Sequence, residues 1–194
     1  MTRSLILALV LMPGAGAALA EPARYELDPA HTVVSFMVDH VGYSQVLGIF
    51  GEVSGGFTWD DETRELSDVE ITVETASVDT FDDARDEHVQ KGDFLAVADH
   101  PAMTFTADGG TPTGETTGTV TGDLTLLGLT HPLTLDVTLN KAEVYPFGHQ
   151  KFTLGLSASG SLMRSDWGMD YGVANGLVGD EVAITISTEA IRQD

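Results

Sequence analysis

Residues 85–94 read RDEHVQKGDF, gathering Arg85, Asp86, Glu87, His88, Lys91 and Asp93 within ten positions. Such a cluster suits proton transfer, metal ligation or the gating of a ligand, and equally a solvated helix. Asp86 and His88 are two apart, so a helix points them in different directions and offers no ready acid–base pair. The histidines are His31, His40, His88, His100, His131 and His149. None has the HExxH spacing of a zinc helix, and there is no cysteine to help. A metal site assembled from scattered His and Asp stays open. A Ser-His-Asp hydrolase would need tertiary assembly, because no GxSxG elbow is present. Neither GxGxxG nor a Walker motif occurs, and the stretch from Gly114 to Gly118 lacks the lysine of a phosphate loop. Arg164, in MRSDWGMDYG, is one of few cations. It reads as a salt-bridge partner or as a holder of a polar headgroup.

The elements that must position these residues are mostly strands. Period-two alternation marks Thr32, Val34, Phe36, Val38 and His40 as one face of a first long strand. Leu47, Ile49, Val53 and Phe57 form the next face, with glycines suited to bulges. Val69, Ile71 and Val73 follow, then Met103 and Phe105. Val120, Gly122, Leu124 and Leu126 lead into a turn at Gly128, and Leu133, Leu135, Val137 and Leu139 return from it. Phe152, Leu154, Leu156 and Ala158 precede a last strand with Val182, Ile184 and Ile186. About eight amphipathic strands predict an all-β antiparallel sheet that pairs with another sheet or closes on itself. One helix is expected over about Asp82 to Asp93, with Thr80 as its cap. Inside a closed eight-stranded barrel the inward faces would be nearly all apolar. They would accept a hydrocarbon chain and reject a sugar or nucleotide. Periodicity does not separate a filled core from a cavity.

The 194 residues carry a formal charge of −21. Such a surface repels nucleic-acid phosphates and anionic lipid heads, which argues against both as partners. Residues 1–20 combine one Arg, the apolar run LILALVLM and a terminal Ala18-Leu19-Ala20. This is the pattern of a cleaved signal peptide, with residues 21–194 as one mature domain. Removing Arg3 takes the mature charge to −22. The apolar run is short of the roughly 20 residues a membrane span needs.

Four stretches together carry a family resemblance. They are the Tyr25–His40 segment YELDPAHTVVSFMVDH, SVDT with RDEHVQKGDF between Ser77 and Phe94, TGTVTGDLTLLGLTHPLTL from Thr117 to Leu135, and RSDWGM from Arg164 to Met169 with the later GDEV. In this order and spacing the chain resembles the YceI-like family of exported lipid-binding proteins. The resemblance implies an extended eight-stranded antiparallel barrel, similar to lipocalins, with a short helical insertion at one end. It also implies a periplasmic location, homodimer formation, no enzymatic activity, and a cavity for a long isoprenoid or other amphiphile. The RDEHVQKGDF segment falls at the helical insertion and would border the cavity. Departures are Val89 after His88, Leu95 after Phe94, and His131 where the family often has a basic residue. The His131 departure and the charge weigh against a pyrophosphate head and put a neutral head, such as a quinone or an amide, on at least equal terms.

The expected function is therefore a periplasmic carrier or store for an isoprenoid or quinone-like lipid, with no catalytic or metal role and no cofactor beyond that lipid. The expected wall comprises Phe36, Val38, Val53, Phe57, Val69, Ile71, Val73, Phe105, Leu124, Leu126, Leu133, Leu135, Phe152, Leu154, Leu156, Ile184 and Ile186. The expected polar mouth comprises His40, Arg85, Asp86, His88 and Arg164. The rival readings are a metal- or stress-related interaction protein with a filled barrel, and a hydrolase of lipid-linked substrates.

Overall fold

The structure is a computed structural model describing residues 22–193, so the expected leader lies outside the described residues. In chain order the strands are β1 (Ala23–Leu27), β2 (Val33–His40), β3 (Ser44–Phe50), β4 (Val53–Trp59), β5 (Leu66–Glu74) and β6 (Val78–Asp79). A single α-helix, α1 (Asp83–Val89), follows. The remaining strands are β7 (Ala102–Ala107), β8 (Thr111–Pro112), β9 (Thr117–Leu126), β10 (Leu129–Val144), β11 (Phe152–Met163) and β12 (Val178–Arg192). Among the described residues no helix is long and apolar enough to cross a membrane.

Alternation explains the strands. In β10, Leu133 and Leu135 are buried and Val137 and Leu139 half-buried, while Thr134, Asp136 and Thr138 between them are exposed. Such a strand hides one face and wets the other. The wet face has its own cross-strand pairs: Thr121 bonds Thr134 and Thr125 bonds Thr130, each at 2.8 Å. Leu127 and Gly128, both at positive φ, make the two-residue turn that joins β9 to β10.

Every pairing is antiparallel, in the order β1-β4-β5-β7-β9-β10-β11-β12, and β1 pairs with β12 to close the ring. β12 is long enough to serve two partners. Its last residues meet β1 and its earlier ones meet β2, which pairs in turn with β3. β1 and β2 are thus two halves of one chain pass, as are β3 and β4. The result is a closed barrel of eight antiparallel passes, as the sequence predicts.

One expected face is corrected. Leu47 and Ile49 do not face inward with Val53 and Phe57; Val46 and Phe50 do, and Leu47 is 43% exposed. Gly51 and Glu52 interrupt the strand between β3 and β4, which shifts the parity that alternation assumes. The helix also differs. It ends at Val89, and its cap is Asp82, whose carboxylate accepts from the Arg85 backbone N–H, rather than Thr80.

β4 and β1 approach closely at Gly56. A Cβ on Gly56 would stand 2.0 Å from the Tyr25 carbonyl oxygen of the neighbouring strand. Only a glycine permits that approach. Gly56→Ala is expected to destabilise the barrel by about 1–3 kcal/mol, read as a lower urea midpoint with an unchanged slope.

Candidate functional site

The inward faces do not meet across the barrel. They surround a cavity of about 660 Å³, within the range of roughly 300–1,000 Å³ typical of small-molecule sites. Along β11 the lining runs from Leu154 to Leu162, about 26 Å at roughly 3.3 Å per residue. It is a long bore rather than a round pocket. One end holds the exposed Val41, Tyr171 and Leu177 beside α1, and the other holds Arg64, Glu115 and Thr116. At this second end the Arg64 guanidinium donates to the Glu115 carbonyl.

The expected wall residues Phe36, Val38, Val53, Phe57, Val69, Ile71, Val73, Phe105, Leu124 and Leu126 line this bore. So do Leu133, Leu135, Leu154, Leu156, Ile184 and Ile186. Phe152 does not; it packs in the apolar cluster around Tyr25, Phe57 and Leu154. The ring of Phe36 lies across Gly48, where a Cβ would stand 2.2 Å from it, and packs 5.5 Å from Phe50. A side chain at Gly48 would push that ring out of place.

At the α1 end, His40, Arg85, His88 and Arg164 line the cavity and Asp86 does not. Asp86 accepts from both the backbone N–H (2.7 Å) and the hydroxyl of Thr80, which is buried. Arg85 grips the same threonine, its Nε donating to the hydroxyl at 2.8 Å and a terminal nitrogen to the carbonyl at 2.7 Å. The two charges clamp α1 onto the end of β6. The His88 ring stands edge-on to Phe94 (5.1 Å) and Tyr171 (5.4 Å), with Nε2 3.3 Å from Asp93.

Arg164 donates to backbone carbonyls rather than to a carboxylate. It is 2% exposed. Its Nε donates to the Gly179 carbonyl (2.7 Å), and its terminal nitrogens to those of Met169 (2.7 Å), Tyr171 (2.8 Å) and Val178 (3.1 Å). Burial pulls its pKa below the ordinary arginine value, with Asp180 and Asp170 opposing, and the group stays charged. The guanidinium also sits 5.8 Å over the Phe94 ring. It therefore ties the 164–179 loop to the aromatic cover of the bore. His131 lies outside the lining, edge-on to Trp167 at 5.1 Å.

Sequence reasoning missed Val46, Phe50, Leu162, Met169 and Tyr171 in the lining. The glycine break at Gly51 was the available signal for Val46 and Phe50. Nothing in the local pattern marks Tyr171.

A closed antiparallel barrel around an apolar bore, with one end covered by a helix and an arginine-tied loop, defines a lipocalin-like class of cavity protein. The YceI-like domain model matches residues 25–190, and the chain belongs to that family. It is 34% identical to the UPF0312 protein of Pectobacterium carotovorum over 96% of this chain and 94% of the relative. It is 35% identical to the protein YceI of Escherichia coli O157:H7 over 94% and 93%. Among solved structures, the YCEI protein of Campylobacter jejuni matches with a TM-score of 0.72 at 28% identity, over 80% of this chain and 90% of that one. A polyisoprenoid binding domain from Saccharophagus degradans matches with a TM-score of 0.65 at 16% identity, over 89% and 100%.

Proposed function

We propose that the protein holds one long, slender lipid in its bore and carries or stores it in the periplasm, without chemical turnover. The observation that carries this reading is the continuous apolar cavity of about 660 Å³. The polyisoprenoid binding of the Saccharophagus degradans domain supports an isoprenoid chain, and the leader pattern of residues 1–20 supports export. Each buried CH₂ contributes about 0.8 kcal/mol, against an association cost of about 4–15 kcal/mol. A chain of about twenty carbons, at about 16 kcal/mol, therefore offsets even the upper end of that cost.

The head is best read as neutral. Arg164 already donates to four backbone carbonyls and Arg85 to Thr80. A phosphate head would have to displace those bonds on a surface that is already strongly acidic. A quinone or amide head asks only for a donor or acceptor, which His40 or His88 supplies.

Native mass spectrometry of protein purified from its own periplasm without detergent, followed by solvent extraction, tests this. One bound lipid per chain, released as a prenyl or quinone mass, is the expected result. An apo mass together with failure to take up a fluorescent lipid would sink the carrier reading and favour an interaction protein. The intact mass also decides whether the protein forms the homodimer that belongs to this reading.

A further inference from the structure

On the outer face of the barrel, away from the bore, three ligand-type atoms from separate parts of the chain converge. Asp28 and His31 lie in the corner between β1 and β2. Glu189 lies in β12, next to the inward-facing Thr188. None of the three lines the cavity. His31 Nδ1 is 2.8 Å from Asp28 Oδ2 and 3.6 Å from Glu189 Oε2, and the three ligand atoms all lie within 4.8 Å of one another.

Tight backbone contacts fix these positions. The Asp28 N–H donates to the Glu189 carbonyl at 2.8 Å, and the Ala30 N–H donates to Asp28 Oδ1 at 2.9 Å. Oδ1 is thereby occupied and Oδ2 is aimed at the histidine. Glu189 supplies the second observation. Its side chain is 30% exposed, but its Oε2 is shut off from solvent and meets His31 Nδ1 only at 3.6 Å, beyond hydrogen-bond range. A buried carboxylate oxygen left in that state is costly. A cation bound there would satisfy it.

We propose that Asp28 Oδ2, His31 Nδ1 and Glu189 Oε2 form a three-ligand site for a divalent first-row cation of the Zn²⁺ type, separate from the lipid cavity. Zinc holds nitrogen and carboxylate oxygen at about 2.0–2.2 Å, which puts tetrahedral ligands about 3.3 Å apart. The spacings of 2.8 and 3.6 Å bracket that value. One imidazole and two carboxylates suit such an ion, with water in the fourth position. Coordination needs the Nδ1 lone pair. The Nδ1 proton therefore passes to water, or the ring takes its Nε2–H form. The Glu189 carboxylate also faces the Tyr145 phenol, a ready outer support for the ligand. A bound ion would pin the β1–β2 corner to β12.

The test is isothermal titration of chelator-treated protein with Zn²⁺ alone, paired with thermal melts. One Zn²⁺ per chain at micromolar or tighter affinity is expected, with a Tm that rises with zinc concentration. Glu189→Gln and His31→Gln should each weaken binding by about tenfold or more. Circular dichroism checks each fold, and Glu189→Gln alone decides if the histidine variant fails to fold. No zinc uptake at micromolar concentration, or uptake that both variants leave unchanged, would overturn the site.

Discussion

Phe36→Asp should release the bound lipid while the barrel remains soluble. Phe36 faces the bore, packed on Phe50 and laid over Gly48. A carboxylate there either stays charged beside the hydrocarbon, at several kcal/mol, or takes up a proton. Either way the apolar contact of the ring is lost, and affinity for a fluorescent prenyl or quinone probe should fall by about two orders of magnitude, roughly 2.7 kcal/mol. Ala158→Trp gives the same readout without a charge. Ala158 lines the bore on β11, and an indole there takes the space of the chain. Unchanged probe affinity in both soluble variants would remove the cavity from the function.

Arg164→Ala should be the most destabilising single change at the site. Truncation strands the carbonyls of Met169, Tyr171, Val178 and Gly179, the first buried and the others part-buried, and an orphaned acceptor costs about 1–3 kcal/mol where water cannot reach it. Relaxation of the loop recovers part of this. A net loss of about 3–5 kcal/mol is expected, lowering Tm by about 10 °C in a domain of this size. Arg164→Lys should recover little, because an ammonium cannot reach the carbonyls that a planar fork spans. A Tm within a degree or two of the parent would show that the loop does not depend on this residue.

The sequence carries the barrel clearly and the mouth poorly, for physical reasons. Where a strand buries one face, as in Leu133, Leu135, Val137 and Leu139, alternation reports direction reliably. It fails where the strand is broken, which is why Leu47 stood in for Phe50 across Gly51 and Glu52. It also reports face without height. Phe152 shares the parity of Leu154 and Leu156 but sits past the end of the bore, in the cluster around Tyr25. Arg85 and Asp86 are adjacent in sequence, and both are held by Thr80 in space. Only the folded β6–α1 corner shows that one of them reaches the cavity and the other does not. Arg164 was visible as a rare cation. Its four carbonyl partners are backbone groups, which no residue pattern can announce.

The seam between β1 and β12 sets the order in which the molecule can form. Thr32 and Thr188 share a hydrogen bond across 156 residues of sequence, and the first and last strands pair beside it. Loop closure over such a separation must be met before its contacts return any stability. Local hairpins such as β9–β10 can zip early, but the ring stays open until β12 arrives. A nascent copy lacking its final strand has an unsealed bore and two bare edges. A sealed bore is thus a property of the barrel only once β12 has taken its place between β11 and β1.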